Sequence, residues 1–319
     1  MRPRASPTIE VVATLLANTF KRSESQEQAR FGRLLAALRH WHLASLDAPT
    51  VAVVWGWAFA WVAHVRLAIW PLALLGLVVW AVYIGDRLLD ARAGLHNPPR
   101  HDLRERHHFH WRHRRVLGPL AVVAGAAAAW IVHSRVPVIA LPQDSAVAVA
   151  TLAYFSSVHT RLRLPAPVGQ MLAVFGSREW LVGALFAAGC VLPAWSMDPV
   201  WNSPASPARL LALPAAYFSA LAWLNVRAIS HWESVASKPC GPGLGRVAWG
   251  LAMAGLALAV WLLPSQPRAA GLIVAGAASA LLIGWLDWRR EHLSPLTLRI
   301  AVDLVLLTPL LLVAPPLGR

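Results

Sequence analysis

Charge is scarce in this chain: Asp, Glu, Lys and Arg make up 14% of its 319 residues, where soluble domains carry about 25%. With 57% hydrophobic residues and a mean hydropathy of +0.51, this excludes an ordinary soluble domain and points to a polytopic membrane protein. Cysteine is nearly absent. Cys190 falls late in one apolar run and Cys240 in a polar connector, near opposite membrane faces, so no disulfide framework is implied. A secretory leader is not expected either, because "VVATLLANTF" runs into the charged "KRSESQEQARFGR" rather than a small-residue cleavage site. No segment alternates with the ten-residue period of a barrel strand, so membrane-crossing segments are expected to be helices. Acids are few, and the formal net charge is +14. Such an excess can signal nucleic acid, but here the basic residues fall in short blocks between apolar runs, as in loops facing the cytoplasm. Nucleic acid is therefore not an expected partner; membrane lipid is.

What remains is a succession of apolar stretches. A helical span needs about 20 mainly apolar residues, and such stretches lie near 50–67, 69–91, 116–134, 137–158, 169–192, 208–230, 247–264, 268–287 and 296–314. The fold class expected is all-α, a bundle of about nine transmembrane helices. In the fourth stretch, Pro142, Gln143 and Asp144 predict a short helix with an irregular start. Residues 1–48 read as a cytoplasmic arm with an amphipathic helix around Phe31 to Trp41 on the headgroups, and residues 49–319 as the transmembrane domain. Lys and Arg concentrate in alternate connectors: the arm, the basic loop 91–115, and the segments holding Arg161 and Arg163, Lys238 and Arg246, and Arg289 and Arg290. The positive-inside rule then predicts a bacterial-type inner or plasma membrane protein with its amino terminus in the cytoplasm and its carboxyl terminus outside. Most of the 17 tryptophans sit near span ends, as an interfacial belt requires. Trp55, Trp57, Trp61 and Phe175 read as core, or as the lining of a lipophilic pocket.

Several polar groups need a reason. In "YIGDRLLD", Asp86 and Asp90 are four residues apart and share one helical face at the end of the second span. A divalent cation would relieve their repulsion, and magnesium favours one or two carboxylates together with phosphate oxygens; neutralisation by Arg87, Arg92 and the basic loop is the alternative. The loop segment "RHDLRERHHFHWRHRR" places His107, His110 and His113 at i, i+3 spacing. Without a cysteine or a His-x-x-x-His pair it reads as a basic interfacial segment, meeting lipid phosphate or a phosphate-bearing ligand, rather than a zinc site. Tyr154, Arg161 and Arg163 follow the fourth span, where paired guanidiniums suit a diphosphate. Arg178 and Glu179 are adjacent and must each find a partner elsewhere. Asn225, Ile229 and Glu233 line one face near the end of the sixth span, with Arg227 nearby. Asp303 has Arg299 one turn earlier, which predicts a local ion pair.

With polar constellations after the second, fourth and sixth spans, the chain resembles the UbiA superfamily of intramembrane prenyltransferases. That family carries Asn-Asp-x-x-Asp-x-x-x-Asp at the end of its second helix. Asp86 and Asp90 match its last two aspartates, while Val82 and Tyr83 stand where the leading Asn-Asp would be. In the naphthoate-prenylating branch, the motif after the sixth helix has the form Asn-x-Arg-Asp followed by further acids. Asn225, Arg227 and Glu233 fit it, with Ala228 in place of the first aspartate. The resemblance implies magnesium-dependent transfer of a prenyl group from a prenyl diphosphate to an aromatic or other lipophilic acceptor. It places Asp86, Asp90, Asn225 and Glu233 in catalysis, with Asp86, Asp90 and Glu233 as metal ligands. Tyr83, Tyr154, Arg161, Arg163 and Arg227 would bind substrate. Because the motifs are incomplete, a second expectation stands beside the first: a non-catalytic protein of the same fold that binds an isoprenoid lipid or a partner. A CDP-alcohol phosphotransferase is disfavoured, since "DRLLDARAG" lacks the Asp-Gly start and the downstream paired aspartates.

Overall fold

The computed structural model describes residues 30, 32–96, 105–159, 178–197, 207–234 and 243–313. Arg161, Arg163, Phe175 and Cys240, named above, lie outside them. The chain divides into two compact units, Met1–Ala44 and Ser45–Arg319. Within the first, α1 (Gly32–Leu43) supplies the helix expected around Phe31 to Trp41, with Phe31 itself outside the described residues.

Helices are the regular secondary structure of the second unit's described residues: α2 (Asp47–Val62), α3 (Ile69–His96), α4 (Glu105–Arg112), α5 (Arg114–Arg135), α6 (Leu141–His159), α7 (Arg178–Ser196), α8 (Ala212–Ser234), α9 (Gly243–Leu262), α10 (Pro267–Arg289), α11 (Pro295–Leu304) and the short α12 (Leu310–Val313). Among the described residues, eight stretches are long and apolar enough to cross a membrane, or up to nine if α2 is counted together with the helix before it. The chain thus has the build of a multi-pass membrane protein. The first expected span is the exception: α2 has 16 residues, short of the ~20 a crossing needs. A 3-10 turn over Val138–Ala140 precedes α6, but the short helix expected from Pro142, Gln143 and Asp144 is not found: all three lie within a regular helix of 19 residues. Val122, Val123, Trp130, Val260, Trp261 and Leu311 project outward, fully in keeping with a lipid-covered exterior.

α10 is the central helix. Two thirds (67%) of its apolar window is buried, against 6% for the span that contains α6. It packs along α9 and against α8, while α2 packs on α3, α7 and α11. Trp55 of α2 is fully buried and stacks on Phe218 of α8 at 3.8 Å between ring centroids. The last span breaks after Leu304 into a 3-10 turn, Val305–Leu307. A break at membrane depth frees carbonyls that lipid cannot satisfy. Trp55 Nε1 donates to the Leu306 carbonyl at 2.9 Å, and Ser279 Oγ to that of Val305 at 2.6 Å. The break is therefore sealed by side chains of α2 and α10.

Small residues set the closest contacts. A Cβ on Gly183 of α7 would stand 2.7 Å from the Trp223 nitrogen and 2.9 Å from the Ser219 carbonyl oxygen, both backbone atoms of α8. Backbone cannot swing aside as a side chain can. Gly183→Ala is expected to push α7 off α8 and cost about 1–3 kcal/mol, read as a lower melting temperature in detergent; an unchanged melting temperature would show that the helices do not meet here.

Candidate functional site

Tyr83, Asp86 and Asp90 lie at i, i+3 and i+7 on α3, so the helical repeat puts them on one face. Arg87 is buried beside them, its guanidinium 6.0 Å from the centre of the Tyr83 ring. The Tyr83 hydroxyl stands in the combined field of Asp47 from the first turn of α2, Asp303 of α11, and Asp86 and Arg87 of its own helix. Three carboxyl groups from three helices thus act on this hydroxyl, and the Arg87 guanidinium opposes them. Asp90 is half-buried one turn beyond Asp86.

The face of α8 that carries Asn225 and Glu233 meets the face of α11 that carries Arg299 and Asp303. Asn225 Nδ2 donates to Asp303 Oδ1 at 3.3 Å. Two turns on, Glu233 Oε1 accepts from Arg299, and from Arg106 of α4 at 3.2 Å. Since Asn225 pairs with the later residue of α11 and Glu233 with the earlier, the two helices run antiparallel at this contact. Arg299 acts electrostatically on Asp303 one turn away, as the sequence predicts, and it also donates across the helices to Glu233. All three partners of this lock are mostly buried, with side-chain exposures of 12%, 14% and 22% for Arg106, Arg299 and Glu233.

Asp303 is also hydrogen-bonded to Asp47, and their carboxylate oxygens lie within 4.8 Å of each other. Asp47 Oδ1 accepts from the Ala48 amide at 3.0 Å, where the positive end of the α2 dipole favours a carboxylate. Asn225 is buried, and its Oδ1 has no hydrogen-bond partner. Its amide must turn N–H toward Asp303, because the reverse orientation would set oxygen against oxygen.

The basic segment docks through a histidine. His110 of α4 is fully buried. Its Nδ1 lies 2.7 Å from the Arg106 carbonyl and so carries the proton, leaving Nε2 to accept from Ser45 Oγ at 3.1 Å. Ser45 holds a left-handed backbone, φ 53°, in the turn that leads into α2. His107 lies 3.3 Å from Arg106 Nε, and His113 lies 2.8 Å from the Phe109 carbonyl.

The chain matches no family model, no curated protein and no solved structure.

Other expected site residues are placed less centrally. Arg227 is two residues from Asn225 and on the opposite side of α8; it reaches out to Glu179 of α7 at 3.3 Å, with its side chain 56% exposed. That contact supplies the partner Glu179 needed. Tyr154 of α6 is half-buried, and its neighbour Phe155 stands 3.7 Å from where a Cβ on Gly85 would be. This brings the end of α6 to the turn of α3 that bears Asp86. Two residues escaped the sequence reading. Asp47 sat inside the expected arm, though an acid at the edge of an apolar run is also what drew attention to Asp86. Arg106 was one of many arginines in the basic loop, and nothing in its spacing marked it out.

Proposed function

We propose that this chain is an integral membrane transferase that moves a prenyl group from a prenyl diphosphate to an aromatic or other lipophilic acceptor, with magnesium, in the manner of the UbiA superfamily. The observation that supports this reading is the convergence of Asp47, Asp86 and Asp303 on Tyr83 at one end of the helical unit, with Arg87 beside them. The donors there are carboxylate and amide oxygens, a set that suits a hard cation, and the buried Asn225 Oδ1 is an acceptor in want of one. Asp86 and Asp90 would hold magnesium. When bound, it would neutralise charge on the departing diphosphate. The chain's own residues do the rest: Arg87 adds fixed positive charge beside Tyr83, and the apolar helix walls exclude water that would quench an allylic cation. In the same reading the basic segment faces the cytoplasm, where a soluble diphosphate arrives.

A non-catalytic role as an isoprenoid-binding protein of the same architecture has one observation in its favour. Glu233, the expected acid of the second motif, is already gripped by Arg106 and Arg299. Turnover separates the two. Full-length protein in detergent is incubated with short, medium and long prenyl diphosphates, with magnesium or EDTA. The expected result is magnesium-dependent release of diphosphate, lowered on the order of a hundredfold in Asp86→Ala. Failure of every prenyl diphosphate to bind or turn over, with Asp86→Ala folded normally, would sink the enzyme reading.

A further inference from the structure

We infer that the end of α9 and α10 bearing Arg246 and Arg289 binds an anionic phospholipid, with its phosphate at the guanidiniums and its acyl chains along the outer surface of the two helices. Arg246, Trp249 and Met253 lie at i, i+3 and i+7 on α9 and all project outward. Leu282, Trp285 and Arg289 do the same on α10. Each stripe therefore runs from guanidinium through indole to an aliphatic side chain. Indoles settle at headgroup level, so both stripes follow the depth profile of a phospholipid from phosphate to acyl chain.

Packing sets the stripes side by side. A Cβ on Gly284 would stand 3.3 Å from both Ala248 Cβ and Trp249 Nε1, and one on Gly245 would stand 3.4 Å from Asp287 Oδ2. The helices thus run antiparallel, with Arg246 and Arg289 at the same end. The Arg289 guanidinium lies 4.8 Å from the centre of the Trp288 ring and 5.9 Å from that of Trp285. Among the described residues, no carboxylate forms an ion pair with it. Asp287 is turned inward, its Oδ1 accepting from Trp232 of α8 at 2.9 Å and from Arg290 at 3.3 Å, and Glu291 lies exposed in the turn beyond the helix.

Trp249, Trp285 and Trp288 also have no hydrogen-bond acceptor among the described residues. Their indole N–H groups and the Arg289 guanidinium make a surface of donors, which suits phosphate and ester oxygens. A choline-like ammonium would need a ring face or a carboxylate, and the rings of Trp285 and Trp288 already carry Arg289. Free phosphate would leave Met253 and Leu282 unused. An anionic lipid engages both the donors and the apolar flank. This site is separate from the proposed prenyl transfer, because it needs no prenyl compound.

The test contains lipid and no prenyl diphosphate. Full-length protein in detergent is titrated with phosphatidylglycerol, phosphatidylcholine or inorganic phosphate, bound lipid is counted by native mass spectrometry, and melting temperature is followed. Wild type is expected to hold phosphatidylglycerol in preference to phosphatidylcholine and to melt higher with it, whereas inorganic phosphate should not raise the melting temperature. Arg289→Gln should weaken one bound phosphatidylglycerol about fivefold, and Arg289→Lys should keep most of that binding. Lipid held elsewhere, as at the basic segment of α4, stays in the count, so the readout is the loss of a single lipid. Trp288→Ala should weaken the same lipid. Trp261, exposed at the other end of α9, is the control, and Trp261→Ala should bind as wild type does. The inference is overturned if wild type binds the two lipids alike, or if inorganic phosphate stabilises as well as phosphatidylglycerol. It is also overturned if Arg289→Gln keeps the full count, or if Trp261→Ala lowers it equally.

Discussion

Replacing Glu233 with alanine is expected to destabilise the helical unit by about 3 kcal/mol, the lower end of the range for breaking a buried ion pair. The reason lies in what is left behind. Arg106 and Arg299 both donate to Glu233 Oε1 and are 12% and 14% exposed. Without the carboxylate, two guanidiniums face each other in a region from which water is largely excluded. Partial exposure of Glu233, 22%, lets some solvent in and holds the figure at the low end. Unfolding in mixed micelles measures it. In a double-mutant cycle, adding Arg106→Met should recover part of the loss, because it removes one of the stranded charges. If Glu233 serves only as a metal ligand, the outcome inverts: stability is unchanged in the absence of metal, and only metal-dependent properties fall. The lock joins α4, α8 and α11, so its loss should also loosen the basic segment and raise proteolysis within it.

Trp55→Ala is expected to cost about 3–5 kcal/mol. Trp55 is 1% exposed, stacks on Phe218 and donates to Leu306 across a break in the last span. Truncation leaves a large cavity beside α8 and strands a carbonyl where neither water nor lipid can reach it. Trp55→Phe separates these effects. It keeps an aromatic ring on Phe218 and removes only the indole N–H, so its cost should be about 1–3 kcal/mol, that of one unsatisfied buried carbonyl. Equal losses for the two variants would mean that the ring stack contributes little.

The spans were legible because hydropathy over about 20 residues and the alternation of basic connectors are local properties. The start of α6 was less plain: the 3-10 turn falls before Pro142, Gln143 and Asp144, which a regular helix absorbs near its beginning. The length of α2 was not legible. Its apolar stretch continues to Leu67, but the helix stops at Val62, and His64 takes a left-handed turn, φ 58°. Arg268 of α10 secures that turn, reaching the Trp61 carbonyl at 3.0 Å and His64 Nδ1 at 2.8 Å. A residue some 200 positions away decides where this helix ends.

In the candidate site the division falls between faces and partners. Periodicity alone put Asp86 with Asp90 and Asn225 with Glu233, since residues four or eight apart share a helical face whatever surrounds them. What those faces meet is another matter. Lipid is as apolar as a helix–helix interface, so hydropathy does not distinguish the buried side of a membrane helix from the exposed one. Only the assembled helices show Asp303 turned to Asn225 and Asp47, Glu233 claimed by Arg106 and Arg299, and Arg227 sent outward to Glu179. The sequence by itself determined a multi-pass helical chain and the residues that share its polar faces. The tertiary structure decided which acids face one another, because that choice depends on how the helices rotate and pack.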